Sequence, residues 1–373
     1  MVQGRNVTKE LDTLMPREVV TTSSGSALPS TSSARICSST IELTGSTPSE
    51  NATALDGVRG LAISPDGAFV FACAISSDGL AVVDVTTDPL HPVVVGSIVG
   101  HPNMTGAASV TVSPCGNFAY VTSVYSGSLL VVNVTNREQP VVVGEALGNW
   151  VGAWQSALSS DGQFVFVSVS NTGKLIVIDV SIPTAPVAVG SVSGITNSFP
   201  VVASPDGVLA FVVGAEADTL TVVNVSDPEN PWQVGSVTSA TYMDYPVGVA
   251  TSANGTLVYV AGKYSASIAV VDVSDPSAPT ILGGIVGDTV DLASTSAMTR
   301  SPDGQYLYVV DANDAVTVVD IGTSPTTPVV VGGVTNSTHL GYPNKIVVSP
   351  NGEFVYVGAR DTNAVVVLKS YFC

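Results

Sequence analysis

An all-β repeat fold is what the sequence predicts, and three observations carry that reading. A Ser-Pro-Asp-Gly turn ending at Gly67 recurs in varied form with glycines at Gly116, Gly162, Gly207, Gly255, Gly304 and Gly352, spaced 49, 46, 45, 48, 49 and 48 residues apart. Four residues past each glycine stands an aromatic: Phe71, Tyr120, Phe166, Phe211, Tyr259, Tyr308 and Tyr356. In six of the seven repeats an apolar run then closes on Asp or Asn and gives way to a proline-punctuated loop. A period of this length held seven times means a solenoid or a propeller, and the pattern inside the period selects between them.

Taken in order, residues 1–33 read as a polar tail. They contain no apolar segment of the kind a secretory signal needs, and residues 21–33 are almost wholly Ser, Thr, Gly, Ala and Pro, a flexible-linker composition. Residues 34–44 (ARICSSTIELT) form a lone strand-like run. Each repeat then opens on a short apolar run, such as 61–63 or 346–348, followed by the turn, whose Pro presets one backbone angle and whose Gly supplies the positive one. The stretch after the turn places a large side chain two residues before the aromatic, at Phe69, Phe118, Phe164, Leu209, Leu257, Tyr306 and Phe354. That period of two is a strand signal. A third strand ends at Asp84, Asn133, Asp179, Asn224, Asp272 or Asp320, with Lys369 in the last repeat. The Asp or Asn caps the strand end and shapes the turn. The proline loop and a fourth strand complete the unit. Four antiparallel strands per repeat make one blade, so residues 34–373 are expected to form a seven-bladed β-propeller.

The last repeat stops after its third strand and lacks an outer strand of its own. Placing residues 34–44 beside residues 364–370 supplies one and removes a sheet edge that would template aggregation. Antiparallel pairing brings Cys373 towards Cys37, and a disulfide between them is expected at the seam. Cys73 falls in an apolar run and Cys115 in a turn. No CxxC spacing points to zinc or a redox pair.

Composition excludes several function classes. A net charge of −18 repels phosphate backbones and anionic lipid, so nucleic acid is not an expected partner. Mean hydropathy is high at +0.42. Gly, Pro or a charge nonetheless interrupts every apolar run before the roughly 18 residues of a spanning helix, so no membrane insertion is expected. Three His residues without HxH or HExxH, and no GxSxG or phosphate loop, leave no catalytic signature.

The segments VVDVTTDPLHPVVVGSI and VVDVSDPSAPTILGGI resemble the LVIVD repeat, and FVYVGARDTNAVVV resembles the related YVTN propeller repeat. The resemblance covers residues 34–373 and implies the propeller fold. It also implies kinship with cell-surface and surface-layer proteins that are usually exported, which favours an extracellular or particle-surface setting. Some related propellers are lactone hydrolases or carry redox cofactors, so the resemblance leaves an enzymatic role open.

In a propeller the blade-to-blade loops and the loops between second and third strands share one face, at the channel mouth, where ligands usually sit. Eleven of the 23 aromatics are not strand positions, and eight of those fall in these loops: Trp150, Trp154, Phe199, Tyr242, Tyr245 and Tyr342 between blades, with Tyr125 and Tyr264 between second and third strands. Lys263 and Arg360 belong to the same loops, with Glu216, Asp218, Asp311, Asp314 and Asp361 around them, and His101 and His339 nearby. Aromatics beside a few charges suit a protein or carbohydrate partner; large side chains filling large loops is the competing explanation. Candidate partner-binding residues are therefore Trp150, Trp154, Tyr242, Tyr245, Lys263, Tyr264, Tyr342 and Arg360. No cofactor is expected, although Asp311, Asn313 and Asp314 could contribute to a calcium site. Asn-x-Ser/Thr triplets at Asn51, Asn103 and Asn336 lie in blade-to-blade loops where glycans could attach. The reading is a non-enzymatic binding or surface protein, with assembly into a larger surface structure as one form it could take. The alternative is a lactonase-type hydrolase with a metal at the channel mouth.

Overall fold

The computed structural model describes residues 40–48, 53–286 and 292–371. They form seven four-stranded antiparallel sheets. Blade 1 runs outward from the channel through Val58–Ile63, Phe69–Ala74, Gly79–Asp84 and Val93–Ile98, and the next five repeats copy it. Blade 7 consists of Pro343–Val348, Phe354–Ala359 and Ala364–Tyr371, with Thr40–Ser46 as its outermost strand. Inner strands of successive blades lie side by side, and that of blade 7 meets that of blade 1, so the ring is closed.

The side-chain period of two explains why the sheets stack. Phe71 and Cys73 face blade 2, whereas Val70 and Ala72 of the same strand face blade 7. Each sheet is thus buried on both faces, which is why its middle strands read as nearly continuous apolar runs. The seven aromatics after the turns act as wedges, one in each interblade core: Phe71 between blades 1 and 2, Phe166 between 3 and 4, Tyr356 between 7 and 1. All seven are at most 2% exposed. Where the wedge is Tyr259 or Tyr308, its hydroxyl finds a partner in Pro325 O at 3.2 Å or Ser370 Oγ at 3.1 Å, and burial pushes both phenols up to about 12.

Closure follows the expected route. Thr40–Ser46 pairs antiparallel with Ala364–Tyr371, with Ile41 opposite Ser370 and Leu43 opposite Leu368. Ile41 packs with Tyr308 and Val318 in the core between blades 6 and 7. Residues 34–39, Cys37 and Cys373 lie outside the described residues, and the expected disulfide with them. Of the described cysteines, Cys73 is buried and Cys115 exposed, both as free thiols.

The repeated turns depend on a residue that the Pro and Gly argument passes over. The leading serine is buried in every repeat, from Ser64 to Ser349. Its hydroxyl donates two residues on, from Ser64 to Asp66 Oδ1 at 2.5 Å and from Ser204 to Asp206 Oδ1 at 2.5 Å. The same oxygen accepts the backbone N–H that starts the second strand, Phe69 N at 2.9 Å and Leu209 N at 2.9 Å. In blade 2, Cys115 takes the aspartate's place and its Sγ lies 3.3 Å from Ser113 Oγ. The Asp and Asn residues closing the third strands act as the sequence suggests: Asp84 Oδ1 accepts from Thr86 N at 2.7 Å and Asn133 Oδ1 from Thr135 N at 3.0 Å. Outer strands carry a glycine where the next blade's proline loop docks. A Cβ at Gly144 would collide with the carbonyl oxygen of Pro183.

Candidate functional site

The channel-mouth face is shaped by one recurring backbone irregularity. In all seven inner strands the register with the second strand slips just after the first residue, as between Val58 and Gly60, Ala153 and Gln155, or Pro343 and Lys345. Bulges of this kind re-aim a side chain. The residues so displaced are Arg59, Ala108, Trp154, Phe199 with Pro200, Val247, Ser296 and Asn344. Trp154 and Phe199 therefore belong to inner strands, Ala153–Leu158 and Ser198–Ala203, not to the blade-to-blade loops where the sequence placed them.

Four rings run in series across three blades. The Trp154 and Phe199 centroids are 5.9 Å apart, Phe199 and Tyr245 6.4 Å, and Tyr245 and Tyr264 5.1 Å, with tilts of 36°, 47° and 43°. Offset and tilted pairs at such separations are favourable. A cation caps each end: the Arg59 guanidinium lies 5.3 Å from the Trp154 ring centre and the Lys263 ammonium 5.8 Å from that of Tyr264. Arg59 reaches from blade 1 to blade 3 past Ala108, the small residue at the displaced position of blade 2. Burial, and then the charge of Arg59, lower the pKa of Lys263. Burial, followed by Tyr264 and Glu216, raises that of Tyr245. Tyr264 is 60% exposed, so the run ends in solvent.

The other candidates divide. Arg360 stacks on Tyr342 at 5.4 Å, forming a separate pair on blade 7. Trp150, half-buried, packs against the core between blades 2 and 3, and Tyr242, also half-buried, packs against the core between blades 4 and 5. Tyr245 and Tyr342 hold φ of 54° and 49°, and their N–H groups donate to Asp218 Oδ1 at 2.9 Å and Asp314 Oδ1 at 2.8 Å. Asp78 with Gly106 N at 2.6 Å and Asn363 with Gly57 N at 2.9 Å repeat that latch, the last across the ring closure. Asp218 and Asp314 thus join neighbouring blades, where the sequence showed only charges around a face.

Of the residues named for a calcium site, Asp314 Oδ1 accepts from Tyr342 N at 2.8 Å, Asp311 Oδ1 accepts from Asn313 N at 2.7 Å, and Asn313 Nδ2 donates to Ala293 O at 3.0 Å. Among the described residues no group of three or more His, Cys, Asp or Glu side chains converges to hold a metal ion. Asn103 commits its amide to Glu145 Oε2 at 2.8 Å, and His101 Nε2 lies 3.6 Å from the other oxygen, so that asparagine is engaged as a hydrogen-bond donor. Asn51 lies outside the described residues. None of the described helices is long and apolar enough to cross a membrane.

Sequence reasoning missed Arg59, Lys345 and Gln155. The signal was legible as a charge inside an apolar strand run, VRGLAI and PNKIVV. Lys345 Nζ donates to Gln155 Oε1 at 3.1 Å across the channel.

A family model described as "Lactonase, 7-bladed beta-propeller" matches residues 26–280, and the LVIVD repeat matches residues 301–336. The resemblance drawn from the repeat segments is supported by both. No curated protein matches the sequence. Among solved structures the chain is similar to Kuenenia stuttgartiensis hydrazine synthase, at 19% identity and a TM-score of 0.67, over 84% of this chain and 95% of that one. At that identity the likeness is one of fold.

Proposed function

The chain belongs to the lactonase family of seven-bladed β-propellers, and on that footing we propose that it is a non-enzymatic binding protein that seats a protein or carbohydrate partner on its channel-mouth face. The observation that carries this reading is the series Trp154, Phe199, Tyr245 and Tyr264 with Arg59 and Lys263 at its ends. Rigid aromatic surface fixed by packing and flanked by cations suits a binding surface, because little conformational entropy is lost when a partner settles on it. Lactone hydrolysis is the competing reading, favoured by the family's name. Its metal-assisted form has no converging donor set among the described residues.

The test combines a glycan array, capture of proteins by the immobilised chain, and a lactone panel. The double variant Trp154→Ala, Tyr264→Ala should weaken binding of any glycan or protein retained by the parent chain by at least about tenfold. Undiminished binding by that variant would remove the aromatic series from the site. Turnover of a lactone by the parent chain would replace binding with hydrolysis.

A further inference from the structure

Lys345 is the third residue of the blade 7 inner strand, one step beneath the displaced Asn344. Its side chain leaves the wall and reaches Gln155, the third residue of the blade 3 inner strand, where Nζ donates to Oε1 at 3.1 Å. Blades 7 and 3 are well separated around a ring of seven, so this bond crosses the channel. The partner is a neutral amide. Neither ion pair given for the described residues, His91 with Asp88 and His101 with Glu145, involves Lys345. The residue is half-buried, and burial of its ammonium lowers its pKa to about 8. Asn344 beside it keeps a buried amide donor without a hydrogen-bond partner among the described residues.

From this placement we propose that Lys345 is a carbonyl-capturing amine: a small aldehyde or ketone entering the central channel is held there as a Schiff base. An exposed lysine is protonated and its lone pair unavailable. One enclosed by protein, hydrogen-bonded to an amide and without a carboxylate to hold its proton, keeps roughly a tenth of its population as the free amine at neutral pH, far more than an exposed lysine does. The Nζ lone pair forms a bond to the carbonyl carbon while the π electrons pass to oxygen. One N–H proton moves to that oxygen to give the carbinolamine. The C–O bond then breaks, and the oxygen departs as water with the second N–H proton, leaving C=N. Nothing is oxidised or reduced, and hydrolysis reverses the step. Gln155 Oε1 orients the amine by accepting one of its hydrogens. The inference concerns the channel interior alone and is independent of whether a partner binds the face above.

The test is residue-resolved reductive methylation of the full chain, with formaldehyde as the carbonyl probe and cyanoborohydride to trap the imine, read by peptide mass spectrometry. Lys345 should be labelled at least about tenfold faster than Lys369, the comparison lysine on the strand Ala364–Tyr371 of the same blade. Lys345→Arg, which keeps the positive charge and forms no stable imine, should lose the fast phase and leave Lys369 unaffected. Labelling of Lys345 no faster than Lys369 in the parent chain would overturn the proposal, whatever the fold of the variant. A fast phase that persists in Lys345→Arg would overturn it as well.

Discussion

The two faces of the ring use the same backbone device with opposite side-chain choices. On the turn face, the left-handed residue is glycine in all seven repeats, with φ between 72° and 76°. On the mouth face, the residue before each inner strand is left-handed too, but only Gly57, Gly106 and Gly152 are glycines; Asn197, Tyr245, Ser294 and Tyr342 hold φ of 46°, 54°, 67° and 49°. A side chain in that region costs about 1 kcal/mol or more. One face has settled on the least strained residue in every blade, while the other retains strained tyrosines and a lysine enclosed without a carboxylate. The contrast teaches that the turn face and the interblade wedges supply stability, and that the mouth carries residues that stability alone would not select.

The sharpest way to break this division is to remove a wedge. Phe166→Ala should cost about 3–5 kcal/mol in urea unfolding, because the ring is buried between two blades that cannot collapse onto the cavity. Ser204→Ala at a turn should cost about 2 kcal/mol, since it strands Leu209 N and removes the donor to Asp206. Lys345→Met should have the opposite sign. Its folded pKa of about 8 lies below the ordinary 10.5, so folding expels a proton between those values and the penalty is fully present below pH 8. The variant should melt higher at pH 7, by about 1–2 kcal/mol once solvent in the channel is allowed for, with the gap closing as pH rises towards 10.5.

A matched pair sharpens the comparison further. Gly207→Ala on the turn face should destabilise by about 1 kcal/mol, and Ser294→Gly on the mouth face should stabilise by a similar amount, both read from denaturant midpoints. The smallest effect is in acid. The Ser64 and Ser204 hydroxyls hold Asp66 and Asp206 below their usual value of 3.8. Their contribution is therefore complete above pH 4 and disappears as pH falls through the depressed values. The melting difference between the parent chain and Ser204→Ala should narrow below pH 4; a difference constant down to pH 2 would contradict the assignment.

The fold was legible almost entirely, because each blade is one local repeat whose strand period, turn glycine and wedge aromatic lie within a few tens of residues. The closing strand was legible from the missing outer strand of the last repeat. The mouth was legible only in part. Counting aromatics picked out Tyr245 and Tyr264 together with Trp150 and Tyr242, without showing which of them share one run of rings, and left Arg59 unnoticed because it sits in a strand rather than a loop.

What the sequence determined by itself is the repeating unit: an aromatic four residues past a turn glycine buries itself between sheets wherever the period of two is kept. What only the tertiary structure decided is which residues meet across the ring. Arg59 and Trp154, Lys345 and Gln155, and Asn363 and Gly57 are brought together by the closing of seven blades. The bulge that aims the first of these side chains is a property of paired strands, set by a register that no single strand carries.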